Sequence, residues 1–403
     1  MTAPRTRRGS RFLIAAPIAA LTVLGTLLPA AWPGAATASE PTPTRQTHGA
    51  YTVFNTPSPV GDPDTTLESH IVELVDATPA GESIHGALYS WTREPVAEAL
   101  ARAQARGVSV SLAIDKDGAG NVNSDPSNTA MAVLRDAGLT RLVFCGNTSR
   151  GNTACIGNRD NSINHNKVFT FSTTGDMSNV VLVASHNLTN TQNSLHNNAV
   201  VLHEDADLYQ AFQRHMSNLL AQRKNNNYYR SADGYFRSPT SDIRVFFSPY
   251  ADSSGGTDPE ASTDLIAGRL SYITRYQQGC SVDVAHAQFT GPRAAVADEL
   301  IRIGALGCRV RVIGGEGMTT YITDRLAGKR NVTVRRLDEL HSKYIVYSGD
   351  YNGTAGRNLV FTGSQNLTGP ALRSHDETFI RVEHPDAVGG YEGNFALLWS
   401  RAR

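Results

Sequence analysis

The chain carries one composite motif twice. His165-Asn166-Lys167 is followed by Ser185-His186-Asn187-Leu188-Thr189, and His341-Ser342-Lys343 by Ser364-Gln365-Asn366-Leu367-Thr368. A 403-residue chain with 12 His and only five Lys (Lys116, Lys167, Lys224, Lys329, Lys343) would hold roughly 0.15 H-x-K triplets by chance. Two of the five lysines therefore stand at equivalent places of an internal repeat. A fold that serves both copies is most simply one site assembled from two similar halves.

The approach to each motif repeats as well. In the first copy, Leu67, Ile71, Leu74 and Val75 give helical spacing over Thr65–Ala77, and Ile84–Trp91 reads as a strand. Glu94–Ala105 is a helix with Pro95 in its first turn and Gly107 past its end. Val108–Ile114 alternates as a strand. The second copy follows the same order: helix Leu265–Tyr276, strand Val282–Phe289, helix Pro292–Ile303 closed by Gly304 or Gly307, strand Cys308–Ile313. Strands alternating with crossover helices predict an α/β fold of two similar repeats, each a mostly parallel sheet flanked by helices, packed face to face around one active site. The repeats are expected over 47–235 and 236–403, with Asn225–Arg230 a linker or loop and Arg244–Pro249 opening the second half.

The N-terminus reads as a processing signal. Arg5, Arg7, Arg8 and Arg11 precede a largely apolar stretch from Phe12 to Ala31, and Ala36-Thr37-Ala38 fits a small-residue cleavage site. Residues 1–38 are expected to be a signal peptide and 39–46 a flexible leader, giving a secreted, extracellular protein cleaved near Ala38. No later stretch supplies the ~20 apolar residues of a spanning helix. Removing 1–38 takes away four Arg and no acid, so a chain of formal net charge zero becomes one of −4. A general nucleic-acid binder is usually basic. The four cysteines allow three pairings in an exported protein. Cys145–Cys155 would close a short Gly/Asn-rich loop, and Cys280–Cys308 would join two adjacent strands. A four-cysteine zinc site is disfavoured because no C-x₂-C pair exists.

Lys167–Phe171 and Lys343–Tyr347 read as strands, so His165 with Lys167, and His341 with Lys343, point to one face. If each strand returns as an antiparallel hairpin, through a turn near Thr173–Asn179 or Asp350–Gly356, Asn187 comes back beside His165 and Asn366 beside His341. Each half then offers an imidazole, an ammonium, a hydroxyl (Ser185, Ser364) and a carboxamide. Lysines and amides can stabilise the equatorial oxygens of a phosphodiester. One neutral His can attack phosphorus while the other, protonated, donates to the leaving oxygen. The lysines supply the positive charge, so neither metal nor cofactor is called for. Asp115 and Asp117, which could mimic a metal site, read as a turn whose side chains bond the backbone.

H-x-K followed by S-x-N, present twice, resembles the phospholipase D superfamily, particularly its secreted bacterial members. The resemblance covers nearly the whole mature chain. It implies two phospholipase D-like repeats and phosphodiester hydrolysis through a phosphohistidine, with transphosphatidylation to alcohols also possible. The family's Asp five residues after the Lys is replaced by Ser172 and Ser348. Ala184 stands where the family has the Gly that Gly363 keeps. The family's carboxylate eleven residues after the Asn is matched by Glu377, with Asn198 at the corresponding count in the first copy. A carboxylate beside an imidazole favours its protonated form, so Glu377 is expected to make His341 the general acid and leave His165 as nucleophile. The expected catalytic set is His165, His341, Lys167, Lys343, Asn187, Asn366, Ser185, Ser364 and Glu377. The substrate expected is a phospholipid at a membrane or micelle surface, acted on by a monomer with no obligate protein partner. A nucleic acid cleaved by the same residues, and an inactive phosphate-binding homologue, are the alternatives.

Overall fold

The computed structural model describes residues 48–57, 63–146 and 151–403. The signal peptide and leader expected at the N-terminus lie outside the described residues.

Two mixed sheets form, one per repeat. The first comprises β1 (Gly49–Asn55), β2 (Ser83–Leu88), β3 (Ser109–Asp115), β4 (Arg141–Cys145), β5 (Lys167–Thr174), β6 (Met177–Ala184) and β7 (Asn197–His203), in the order β1-β7-β6-β5-β2-β3-β4. The second comprises β8 (Tyr235–Arg237), β9 (Arg244–Ser248), β10 (Ser281–Phe289), β11 (Arg309–Met318), β12 (Val332–Arg336), β13 (Lys343–Tyr351), β14 (Thr354–Gly363) and β15 (Glu377–Val382), in the order β12-β11-β10-β13-β14-β15-β9-β8. The expectation of mostly parallel sheets needs correction. Among the named strands, parallel pairing is confined to β2–β3–β4 and β10–β11–β12. A parallel pair needs a long crossover, and helices such as Glu94–Ala105 and Ala294–Leu306 supply it only in the approach to each motif. Beyond the motif the chain doubles back in tight hairpins, β5–β6 and β13–β14, and pairing is antiparallel. The second hairpin turns on Asn352-Gly353, both at left-handed φ (55° and 79°), the geometry of a two-residue hairpin turn. This is shorter than the Asp350–Gly356 turn expected, so β13 runs on to Tyr351.

Alternation along the strands builds three apolar layers. Val180 and Leu182 face outward onto helices Thr66–Asp76, Glu94–Ala105 and Thr129–Asp136. Val181 and Val183 face inward, into a central core shared with Val346, Val360 and Ile380 of the second sheet. Phe212 of helix Ala206–Leu220 and Phe395 of helix Pro385–Arg401 complete that core. The outer face of the second sheet packs on helices Leu265–Leu270, Ala294–Leu306 and Thr320–Leu326. Cys145–Cys155 and Cys280–Cys308 both form, the pairing favoured by the sequence, so no cysteine remains for zinc. Among the described residues no helix is long and apolar enough to cross a membrane.

Candidate active site

Each H-x-K motif ends a loop and starts the central strand of its sheet, β5 or β13. The i, i+2 relation of a strand puts the His and Lys on one face, and each lysine reaches back to its own histidine. Lys167 Nζ donates to the His165 carbonyl at 2.6 Å, and Lys343 Nζ to that of His341 at 2.9 Å. Lys343 Nζ also lies 3.2 Å and 3.4 Å from the two ring nitrogens of His341. Both ammonium groups are buried, and burial drives Lys343 down to about 7 despite the opposing pull of Glu377. Lys167 is held well below its ordinary value, first by burial. The same burial, reinforced by the two lysines, holds both His165 and His341 well below the usual imidazole range.

The two motifs are joined across the seam between the repeats with twofold regularity. The His165 N–H donates to the carbonyl of Asp376, and the His341 N–H to that of His196, both at 2.9 Å. His165 Nδ1–H donates to Glu377 Oε1 at 2.9 Å, and His341 Nδ1–H to Asn197 Oδ1 at 2.9 Å. The expected partnership of Glu377 with His341 is therefore wrong, because each histidine takes its partner from the opposite repeat, and the reason it gave for making His341 the acid and His165 the nucleophile falls with it. Asn198 is not the counterpart of Glu377 either. Its side chain accepts the Lys343 N–H and donates to Thr362 and Tyr391. The counterpart is Asn197. The short helix after the S-x-N motif spans Asn190–Asn193 in one repeat and Gly369–Arg373 in the other, and that one residue displaces the count.

The serines are the pins of this arrangement. Ser185 Oγ donates to Asn197 Oδ1 at 2.9 Å and accepts the Asn198 N–H. Ser364 Oγ donates to Glu377 Oε2 and accepts the Thr378 N–H. The Asn197 amide gives its Nδ2 hydrogens to the carbonyls of Gln192 and Leu195. Its oxygen must then face His341, so that ring's Nδ1 is a donor. Burial raises Glu377 to about 7, against the lysines' pull downward. The side-chain oxygens of Asn187 and Asn366 are buried without partners; an oxygen only accepts, so it is the Nδ2–H groups of these amides that can donate to an anionic ligand. Tyr89, which the motifs gave no reason to single out, packs edge-on to His165 at 5.0 Å and lies 5.1 Å from Lys167 Nζ. His186 and its counterpart Gln365 are tied down inside the protein, by Asn193 and Ser248. Asp115 does bond the turn amides of Asp117 and Gly118, and its second oxygen also takes the Asn164 N–H beside His165. Among the described residues no group of three His, Cys, Asp or Glu is placed to hold a metal.

A family model described as "Cardiolipin synthase, PLD-like domain" matches residues 74–220 and 273–399, one match per repeat. The chain belongs to this phospholipase D-like family. The phosphatidylserine synthase of Haemophilus influenzae Rd KW20 has a similar structure (TM-score 0.57, 12% identity, 87% of each chain covered). So does the polyphosphate kinase of Porphyromonas gingivalis (TM-score 0.53, 17% identity, 84% of this chain). The chain spans 48% of that kinase. No curated protein sequence matches. The PLD-like chain has Ser172 and Ser348 where the family carries Asp, and both lie five residues down their strands from the lysine, ~16 Å away. Ser172 Oγ donates to Glu82 and accepts the Ser83 N–H, and Ser348 Oγ donates to Glu392. Ser172 ties β5 to the start of β2 and Ser348 ties β13 to helix Pro385–Arg401, and neither bonds a histidine.

Proposed function

We propose that this PLD-like protein is a secreted phospholipase D, hydrolysing phospholipids to phosphatidic acid and a free headgroup through a phosphohistidine. The observation that carries the reading is the crossed pair of contacts, His165 with Glu377 and His341 with Asn197, which brings two imidazoles and two buried lysines to one seam. The description of the matching family favours a phospholipid, and the mature net charge of −4 gives little support to a polyanion. The product phosphatidic acid stays at the membrane or micelle surface, and a monomer suffices because both motif copies are in one chain.

Glu377 fixes His165 in the tautomer whose Nε2 carries the lone pair. That nitrogen attacks phosphorus, and the bond from phosphorus to the headgroup oxygen breaks. His341, protonated once the bound phosphodiester anion offsets the lysine charges, delivers its Nε2 proton to the leaving oxygen. Lys167, Lys343, Asn187 and Asn366 hold the non-bridging oxygens. His341 then takes a proton from water, whose oxygen attacks phosphorus as the P–N bond breaks and His165 is restored. An alcohol in place of water gives the transfer product.

Choline release from phosphatidylcholine vesicles and cleavage of single-stranded DNA, both in excess chelator, test the reading. Choline release that His165→Ala abolishes, and that His341→Ala slows on the order of 10²- to 10⁴-fold, is the expected result. DNA cleavage alone would make the protein a nuclease, and turnover of neither a phosphate-binding module. A mature protein in the culture medium beginning just after Ala38 is the expected result for export.

A further inference from the structure

Glu377 orients His165, and the residue before it is held in an unusual way. Asp376 is fully buried. Its carboxylate accepts three successive backbone N–H groups, from Cys155 at 2.6 Å, Ile156 at 2.9 Å and Gly157 at 2.7 Å. Consecutive amides converging in this way form an anion-binding nest, and here the anion comes from the opposite repeat. The Asp376 backbone works on the same loop system. Its carbonyl takes the His165 N–H, and its own N–H donates to Ile163. One residue thus touches the reactive histidine's backbone while its neighbour holds the ring. Across the seam His196 occupies this place beside Asn197, with an imidazole where the carboxylate would be, so the clamp is built on the His165 side alone.

The nest is itself anchored. Cys155 is joined covalently to Cys145 at the end of β4. Lys224 Nζ donates to the Ala154 carbonyl at 2.6 Å, and the Asn225 N–H to that of Ile156 at 2.8 Å. At Gly157 a Cβ would come within 2.2 Å of the Ser374 carbonyl oxygen, so any side chain there would push the loop away from Asp376.

Resting on the phosphodiesterase reading, we infer that Asp376, the Cys155–Gly157 nest and the Cys145–Cys155 disulfide form a positioning brace that fixes Glu377 against His165. Asp376 is a positioning residue. It keeps the nucleophile's ring aimed and does not meet the substrate. Burial outweighs its three hydrogen bonds and raises it to about 6, so at neutral pH it is the ionised form that fills the nest. The charged or titratable groups around the His165 ring are Glu377, Lys167, Lys343, His341, His375 and Tyr89, and any shift in their placement is read there.

The test compares the full mature chain with Asp376→Asn, Gly157→Ala and the Cys145→Ser/Cys155→Ser pair. Cys280→Ser/Cys308→Ser serves as a control, since it removes the other disulfide. Choline release gives kcat and KM, and ¹⁵N-imidazole NMR follows the His165 and His341 rings, assigned by their Ala variants. The expected result is a kcat lowered on the order of 10- to 100-fold, with KM within a few-fold. The His165 nitrogen shifts and titration should change while those of His341 stay put, and the control pair should match the parent. Parental kcat and His165 signals in Asp376→Asn, or equal changes at both rings, would overturn the brace. If Asp376→Asn fails to fold, Gly157→Ala decides by the same criteria. Should the parent turn over no substrate, the phosphodiesterase reading fails, and the ring-specific NMR comparison still decides the brace.

Discussion

At His165 the group facing Nδ1 is a carboxylate, and at His341 it is an amide, so the two rings do not titrate alike. A carboxylate holds the neutral nucleophile in one tautomer and stabilises positive charge as it develops on the ring. An amide orients the ring without that charge. Asn197→Asp would place a carboxylate on His341 as well, favouring its protonated form and raising its pKa. As the general acid, His341 would then stay protonated to higher pH, and the alkaline limb of the kcat profile should move upward by about one unit or more. An unmoved alkaline limb would assign that limb to another group, Lys343 first, which burial drives down to about 7. The acid limb belongs to Glu377, which burial raises to about 7. Below that pH it is protonated and no longer carries the negative charge that stabilises the positive charge developing on His165, so the rate should fall as pH drops through about 7. Glu377→Gln should lower kcat by up to about 10⁴-fold and abolish that limb. A pH profile that covers both limbs, run on both variants, checks the pair.

Elements differ in how far the sequence disclosed them, and the reasons are physical. Helix Glu94–Ala105 is legible to the residue because Pro95 and Gly107 bracket it, and the hairpin return of each S-x-N is legible because strand periodicity is local. The helix expected over Leu265–Tyr276 stops at Leu270. The Arg302 guanidinium, from a distant helix, takes the Leu270 and Ile273 carbonyls, and no local signal announces that. Asn197 lies one position off the count from the motif because the short helices that follow S-x-N differ by one residue. Tyr89 and Asp376 belong to no repeat pattern, and only the assembled seam gives them a role. Ser172 was legible as a departure from the family pattern, and its position supplies a test at this scale. Ser172→Ala leaves the Ser83 N–H without its acceptor and removes the bond to Glu82, a loss of about 1 kcal/mol. Because the site lies at the other end of β5, kcat should not change. Thermal unfolding together with choline release checks both halves, and a loss of activity without a loss of stability would mean the serine reaches the chemistry.

The whole molecule carries an unusual load of buried imidazole. His215 lies stacked on Phe247 at 3.8 Å with burial pushing it to about 3, and His186 and His375 are pushed to about 4. His165, His286 and His341 are held well down as well, each first by burial. A histidine depressed in the folded state is neutral there while its unfolded counterpart takes a proton below about 6.5. Each such ring makes stability fall with acidification by about 1.4 kcal/mol per pH unit in the window between its two values. Asp115, Asp376 and Glu377 oppose this, since burial raises them to about 6, 6 and 7 and they take up protons in the folded state first. The rings outnumber these carboxyls, so the unfolded chain binds more protons between pH 6.5 and 4, and stability must rise with pH through that range. The expected outcome is a melting temperature that drops as the pH falls from about 6.5 to about 5, with a shallower slope in His215→Phe, which removes one depressed ring and keeps the stack on Phe247. Calorimetry across that range decides it: a flat profile would mean that the three carboxyls cancel the imidazoles and that the seam is protonated as a unit.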